Sequence, residues 1–387
     1  MEANSEARPT VVHAINNLDV GGVEAMSLDT IRQFEKWGNN HLLVIDGRRQ
    51  PRRGDFEALD IPITDLRHRP GEHAQLVRKA YRFFRSVDAD GMICWSYGNH
   101  AFVGWGAWLA GMTRNLVSLQ NAPPSDLTRL WKCRLLGWAS MPVTRCMVAC
   151  SSYVESEIAS KFRIPSRKLT TVYNGCDVRE IYRTAAAAPG PEVNGPVIGM
   201  VARLNEIKDQ ATLIRAMPVV LTEYPGAVLW LVGEGNRRRA LEELARDLEL
   251  VDHVRFFGNR DDVPRLLGQM DVFAFATTKA EGFGIALIEA LAAEVPVVAT
   301  DVGPCAEVLN NGKWGRLVPE KSPGHFAKEI MAAHREGGGR QPGLEEVYAR
   351  YDRTNTAKRY WEVLLGRKPC ELASTPKGMD ESQSPAL

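Results

Sequence analysis

The 387-residue chain has no apolar run near the roughly 20 residues that a membrane span needs; its longest, 101–112, is short and interrupted by glycine. It has no Cys-x-x-Cys. Its seven cysteines, at positions 94, 133, 146, 150, 176, 305 and 370, are odd in number and scattered. That argues against a disulfide framework and a zinc site, and fits a reducing compartment. The first ten residues are polar and lack the apolar core of a signal peptide. Neither sign of charge dominates: the net charge is +1, which gives no support for a general nucleic-acid binder. Also missing is the Gly-x-Gly-x-x-Gly that a dinucleotide-dependent dehydrogenase carries after its first strand. The turn there reads Asp-Val-Gly-Gly-Val-Glu. These absences lead us to expect a cytoplasmic protein, at most peripheral on the inner face of the cell membrane.

What is present fits a folded, soluble chain of two domains. Hydrophobic residues make up 44% and charged residues 25%, both ordinary values. Short apolar runs predict strands at 10–15, 41–45, 91–94, 116–119, 145–149 and 170–172. Amphipathic segments between them predict helices at 23–37, 72–86, 101–110, 126–138 and 153–161. The rhythm repeats in the second half, with strands at 197–201, 228–232, 254–257, 272–276 and 295–299. Helices there are expected at 210–224, 237–248, 263–270 and 285–292, and a late one at 354–365. Such alternation implies α/β architecture with two parallel sheets covered by helices. A Pro- and Gly-rich stretch, 184–196, reads as the linker. The expected division is 1–188, 189–350, a C-terminal helix at 351–366 packing back on the first domain, and a disordered polar tail at 367–387. Two Rossmann-like domains joined once leave a cleft between the carboxyl ends of their strands.

The most informative stretch is Ala280-Glu-Gly-Phe-Gly-Ile-Ala-Leu-Ile-Glu-Ala-Leu-Ala292. Gly282 and Gly284 let the backbone approach a ligand. A helix starts at Ile285, and its unpaired N–H groups suit an anion. Glu281 precedes that helix and Glu289 lies in its second turn, about 7 to 8 Å of rise beyond Gly284. Gly21-Gly22 follows the first strand and opens a helix, another turn with exposed N–H groups. Arg203 and Lys208 follow the first strand of the second half, where two cations suit a diphosphate. A solvated loop would carry the same residues. Gly233-Glu-Gly235 reads equally as a ligand loop or as a plain strand-to-helix turn. His100 sits at a strand-to-helix junction, where a lone histidine is by default a helix cap or a core contact. Asn174-Gly175 is first of all a turn. The helix at 126–138 carries Trp131, Arg134 and Trp138. It is read in the first place as an ordinary helix burying Trp and Leu, and in the second as a membrane-surface helix.

Taken in order, these segments resemble the retaining, nucleotide-sugar-dependent glycosyltransferases of GT-B architecture, the group 1 and family 4-like class. The Glu281-(seven residues)-Glu289 spacing and the Arg203-Leu…Lys208 segment carry the likeness. Ala202 stands where the family often has glycine. The His100 segment resembles a family variant in which tyrosine and histidine are adjacent; here Gly98 and Asn99 stand between Tyr97 and His100. The resemblance implies transfer of a sugar from a UDP- or GDP-sugar to a polysaccharide, lipid-linked or other glycoconjugate acceptor, with retention of configuration. It implies a catalytic set of Glu281, His100, Arg203 and Lys208. The donor would be held by Gly21, Gly22, Arg203, Lys208, Arg260, Phe283, Gly284, Ile285 and Glu289, with Glu281 toward the sugar and Glu289 toward the ribose. The first domain would bind the acceptor and the second the donor, with possible peripheral contact with membrane. No cofactor beyond the donor substrate and no divalent metal is required by this picture. The alternatives are a nucleotide-sugar epimerase of the same fold and a non-catalytic sugar-nucleotide-binding protein.

Overall fold

The computed structural model describes residues 8–365 apart from 20, 49, 125 and 338. Cys370 and the tail expected to be disordered at 367–387 lie outside those residues. The first sheet contains β1 (Thr10–Ile15), β2 (Asn39–Val44), β3 (Ile63–Asp65), β4 (Gly91–Cys94), β5 (Asn115–Leu119), β6 (Cys146–Ala149) and β7 (Leu169–Thr171). All its pairings are parallel, in the order β3-β2-β1-β4-β5-β6-β7. Around it lie α1 (Gly22–Phe34), α2 (Arg53–Glu57), α3 (His73–Ser86), α4 (Tyr97–Leu109), α5 (Leu127–Ser140), α6 (Ser152–Phe162) and α7 (Val178–Ala186). The second sheet contains β8 (Val197–Val201), β9 (Val228–Val232), β10 (Val254–Gly258), β11 (Val272–Phe275), β12 (Val297–Thr300) and β13 (Arg316–Val318), in the order β10-β9-β8-β11-β12-β13 and again parallel. Its helices are α8 (Gln210–Glu223), α9 (Arg238–Asp247), α10 (Val263–Leu267), α11 (Ile285–Ala292), α12 (Gly303–Val308), α13 (Pro323–Glu336) and α14 (Leu344–Tyr351). The chain then returns in α15 (Arg353–Leu365).

Both sheets are doubly wound. Strand order reverses between β1 and β4 in the first and between β8 and β11 in the second. At such a reversal the loops leave in opposite directions and open a crevice at the strands' carboxyl ends. The central strands are buried throughout, as in Val-Leu-Trp-Leu-Val of β9, because helices cover both faces.

The halves are joined at several points. The carboxylate of Glu307, on α12, accepts from the first amides of α6, Ser152 N at 2.8 Å and Tyr153 N at 3.0 Å. Phe283 is buried and stacks on Tyr173, and its edge meets Tyr351. The helix α7 packs on α10, α11 and α14 of the second half, so 184–186 of the expected linker are helical. The C-terminal helix α15 crosses back to the first half, where it packs on α1 and its Tyr360 hydroxyl pairs with that of Ser118 on β5 at 2.8 Å.

The helix α5 departs from its first reading. Its buried residues are Gly137 and Ser140, while Leu127, Trp131, Leu135 and Trp138 are exposed. Burial of the Trp and Leu face was the primary expectation, and the structure overturns it.

Candidate functional site

Two clusters stand at the two sheet reversals and face each other. In the second half, the loop after β8 carries Arg203 and Lys208, and the loop after β11 carries Glu281. Lys208 pairs by its backbone with Thr277 and by its ammonium with the Glu281 carboxylate. Its Nζ also lies 4.5 Å from the centre of the Phe275 ring. The Thr277 hydroxyl is 3.1 Å from Glu281 Oε2 and 3.1 Å from Ile207 O, and it has one proton for the two. Gly282 N donates to Glu281 Oε1 at 3.1 Å, and Phe283 N approaches it at 3.4 Å. Burial alone would raise the Glu281 carboxyl. The Lys208 ammonium and these hydrogen bonds outweigh it and hold the group below its ordinary range, so it is a carboxylate at neutral pH.

The helix α11 begins just beyond. Gly284 is its N-cap at φ +82°, a left-handed conformation that a side chain would strain. No side chain caps this end and no acid occupies the first turn, so its free amides remain open to an anion. The preceding Gly282 is pressed against the first half. A Cβ there would stand 2.2 Å from Gln120 O, and its carbonyl accepts from Ser151 Oγ at 3.0 Å.

Glu289 is half-buried in the second turn of α11. Burial first, and then the nearby Asp29 carboxylate, push its carboxyl up to about 7. Asp29 in turn pairs with Arg353, which also holds Asp177.

The first half supplies the opposite wall. Arg203 Nη1 comes within 4.0 Å of the place a Gly21 Cβ would take, and Ile285 Cδ1 lies 3.7 Å from that of Gly22. The Gly21-Gly22 turn, Arg203 and the start of α11 therefore meet at one point. Glu24 curls over the Gly21 turn beside them. Its carboxyl is raised, by burial above all and against the pull of Arg203.

Arg260 is exposed, and it grips Asp262 with two hydrogen bonds of 2.7 Å at the carboxyl end of the edge strand β10. The Gly233-Glu-Gly235 turn buttresses the Arg203 loop: Leu204 N donates to Glu234 O at 2.9 Å, and Arg237 N to Leu204 O at 3.0 Å. Asn174 exchanges amide hydrogen bonds with Gln120 at the edge of the cleft.

His100 does not join the cluster. It is fully buried beneath α4, with Nε2 3.2 Å from Asn115 Oδ1 at the opposite, amino end of β5. Burial lowers its pKa to about 4, so the ring is neutral. Neighbouring helix positions point about 100° apart, so while the His100 ring turns inward the adjacent Asn99 faces the crevice. The Asn99 amide donates to Asn16 Oδ1 at 2.7 Å across the β1/β4 reversal. Asn16 and Asn99 were missed because a lone asparagine after a strand reads as loop. The signal available was the Gly98-Asn99 spacing before His100.

Residues 20–180 match the family model described as Glycosyltransferase Family 4, and residues 183–346 match the one described as Glycosyl transferases group 1. The chain is 31% identical over 219 residues to the GDP-mannose-dependent alpha-(1-6)-phosphatidylinositol monomannoside mannosyltransferase of Mycobacterium tuberculosis, across 50% of this chain and 57% of that protein. It is 29% identical over 157 residues to the N-acetyl-alpha-D-glucosaminyl L-malate synthase of Bacillus anthracis, across 40% and 41%. The matched region thus spans less than two thirds of each relative. Among solved structures, Anabaena HepE in complex with UDP and glucose superposes with a TM-score of 0.77 at 19% identity, over 92% of this chain and 99% of that one. The apo lipopolysaccharide outer core galactosyltransferase WaaB gives 0.69 at 15%, over 92% and 99%. At these identities the likeness establishes the fold.

Proposed function

We propose that this chain, which belongs to the group 1 glycosyltransferases of GT-B architecture, moves a sugar from a nucleotide diphosphate-sugar to an acceptor with retention of anomeric configuration. The observation that carries the reading is the Lys208–Glu281 pair at the β8/β11 reversal, facing the Gly21-Gly22 turn.

Cleavage at the anomeric carbon leaves negative charge on the diphosphate and positive charge on the sugar. Catalysis requires both to be met in the transition state. Arg203, Lys208 and the open end of α11 supply positive charge for the diphosphate. The Glu281 carboxylate faces the sugar and stabilises its oxocarbenium character. Glu289 accepts from the ribose hydroxyls, and the backbone at Phe283 and Gly284 borders the sugar. The acceptor attacks from the face the diphosphate leaves, and the departing phosphate takes its proton. A double-displacement route would need two carboxylates about 5 Å apart, and the reading does not use one. It routes no charge through a divalent ion, so EDTA leaves transfer intact.

UDP- and GDP-sugars are the donors to try first, because UDP is in the HepE complex and GDP-mannose is in the name of the mycobacterial relative. Thermal stabilisation by UDP-, GDP- and ADP-sugars identifies the donor, and the anomeric configuration of the product tests retention. An inverted product, or C2 inversion of the free donor without transfer, would sink the reading. Full loss in EDTA with recovery in magnesium or manganese would sink its metal-free form.

Peripheral contact of the first half with an anionic lipid surface is the companion proposal. It is supported by the bare face of α5, where Leu127, Trp131 and Leu135 are more than half exposed. No helix among the described residues is long and apolar enough to cross a membrane.

A further inference from the structure

A second cavity of about 580 Å³ opens in the first half, at the carboxyl ends of β2 and β3. Its wall is formed largely by Arg48, Arg53, Arg67, His68 and Arg69, with Asp65 as the acid. The cations are not equivalent. Asp46 holds Arg48 and Glu57 holds Arg53. Among the described residues no carboxylate lies within ion-pair distance of Arg67 or Arg69, and both are exposed. Asp65 is already engaged by Arg67 N at 2.8 Å and approached by Gln50 Nε2 at 3.4 Å. Between the two free arginines sits His68, 4% exposed, whose Nδ1 is buried without a hydrogen-bond partner. Two uncommitted guanidinium groups and an unsatisfied imidazole nitrogen, set in one concave wall, form a receptor for a tetrahedral, multiply accepting anion.

The place of this receptor gives it a meaning. Asp46 N donates to Asn16 O at 2.7 Å and Arg52 N to Leu18 O at 3.0 Å, which ties the cavity's loops to the loop after β1. The strands β2 and β3 stand one and two places from β1. At about 4.8 Å per strand, the receptor lies roughly 5 to 10 Å to the side of the β1/β4 reversal. A molecule anchored there can extend its other end toward the β1/β4 reversal.

We infer that this pocket binds a phosphate group of the acceptor, so that the chain glycosylates a phosphorylated alcohol or sugar. The inference rests on the transferase reading above. Isothermal titration at low salt with glycerol 3-phosphate, glycerol and malate tests it, together with co-sedimentation on phosphatidylinositol/phosphatidylcholine vesicles. The wild-type chain binds the phosphate ester and not glycerol. The Arg67→Gln/Arg69→Gln pair weakens that binding at least tenfold. Arg78→Gln/Arg82→Gln, which removes equal charge from exposed positions of α3, leaves it unchanged. Binding to phosphatidylinositol vesicles in excess of binding to equally charged phosphatidylglycerol vesicles, which α5 accounts for, and lost in the same pair, assigns the phosphate to a lipid headgroup. Tighter binding of malate, equal losses in both pairs, or neither ester binding nor a preference for phosphatidylinositol overturns the inference. Stabilisation by a nucleotide-sugar is read in parallel. It stays intact in the Arg67/Arg69 variant, and its absence from the wild type would strike the transferase reading instead.

Discussion

Lys208 reaches across the β8/β11 reversal to hold the carboxylate of Glu281. The side chains are only 16% and 10% exposed, so each is the other's chief compensation for lost water. Removing one partner of such a pair strands the other's charge, at a cost of about 3 kcal/mol. Lys208→Ala is therefore expected to lose about that much stability in urea, and to lose sugar transfer by a hundredfold or more. Lys208→Met/Glu281→Gln removes both charges. It is expected to recover most of the stability and none of the transfer. A double variant that regains turnover would show that the pair serves the fold alone.

Glu289 gives the site a pH dependence of definite sign. Its carboxyl titrates near 7 in the folded chain against an ordinary 4.5. Between those values the folded state holds the extra proton, so stability falls as pH rises from 4.5 to 7 and the full penalty stands above 7. Glu289→Gln keeps the shape and removes the penalty. Its Tm should exceed the wild type's by about 2–4 °C at pH 8, with the gap closing toward pH 4.5. An equal or lower Tm at pH 8 would show that the carboxylate is met by a favourable partner. Donor binding should tighten through pH 7 in the wild type, as the carboxylate proposed to accept from the ribose forms, and not in the variant.

Much of this could be read from the chain, and the reasons are local. β9 and β11 are continuous runs of Val, Leu, Phe, Ala and Trp, which parallel strands buried on both faces must be. Gly284 followed by eight helix formers fixes the start of α11 without tertiary help. The edge strands β3 and β13, three residues each, went unseen because Ile-Thr-Asp and Arg-Leu-Val each carry a charge and are too short to show a period. α7 was hidden because alanines beside Pro and Gly read as linker, and its contacts with α10 and α14 lie far along the chain. The Lys208–Glu281 pair spans 73 residues, and no spacing rule reaches that distance. His100 failed differently: its junction faces the cleft, and its ring does not.

That distinction can be measured at Asn99 and His100. His100 supports Asn115 under α4, and its loss leaves a buried amide without its hydrogen bond. His100→Ala should cost about 1–3 kcal/mol of stability while kcat for the folded fraction changes less than threefold. Asn99→Ala should leave the melting curve nearly unchanged. It should lower kcat/KM at least tenfold, because its amide faces the crevice with Asn16. The opposite pattern, a stable His100 variant without turnover, would return the histidine to the chemistry.

The exposed face of α5 makes the last prediction. Leu127, Trp131, Leu135 and Trp138 follow one another at intervals of four, four and three, so they form a single stripe along the helix. Trp108 and Leu109, at the end of α4, are exposed as well, and α4 packs against α5. Arg134 lies between the rings of Trp131 and Trp138, 4.8 Å and 4.5 Å from their centres, which sets a cation within the aromatic face. Exposed Arg129 and Lys132 flank the stripe. Water pays no return for presenting this much apolar surface, whereas an anionic bilayer accepts the rings and draws the cations. Vesicles with phosphatidylglycerol are therefore expected to bind the chain, and plain phosphatidylcholine vesicles to bind it at least tenfold less. Trp131→Ser/Leu135→Ser should abolish binding without lowering the Tm, since both side chains stand in solvent. A large drop in Tm would mean the stripe is covered by protein, and undiminished vesicle binding would move the contact to another face.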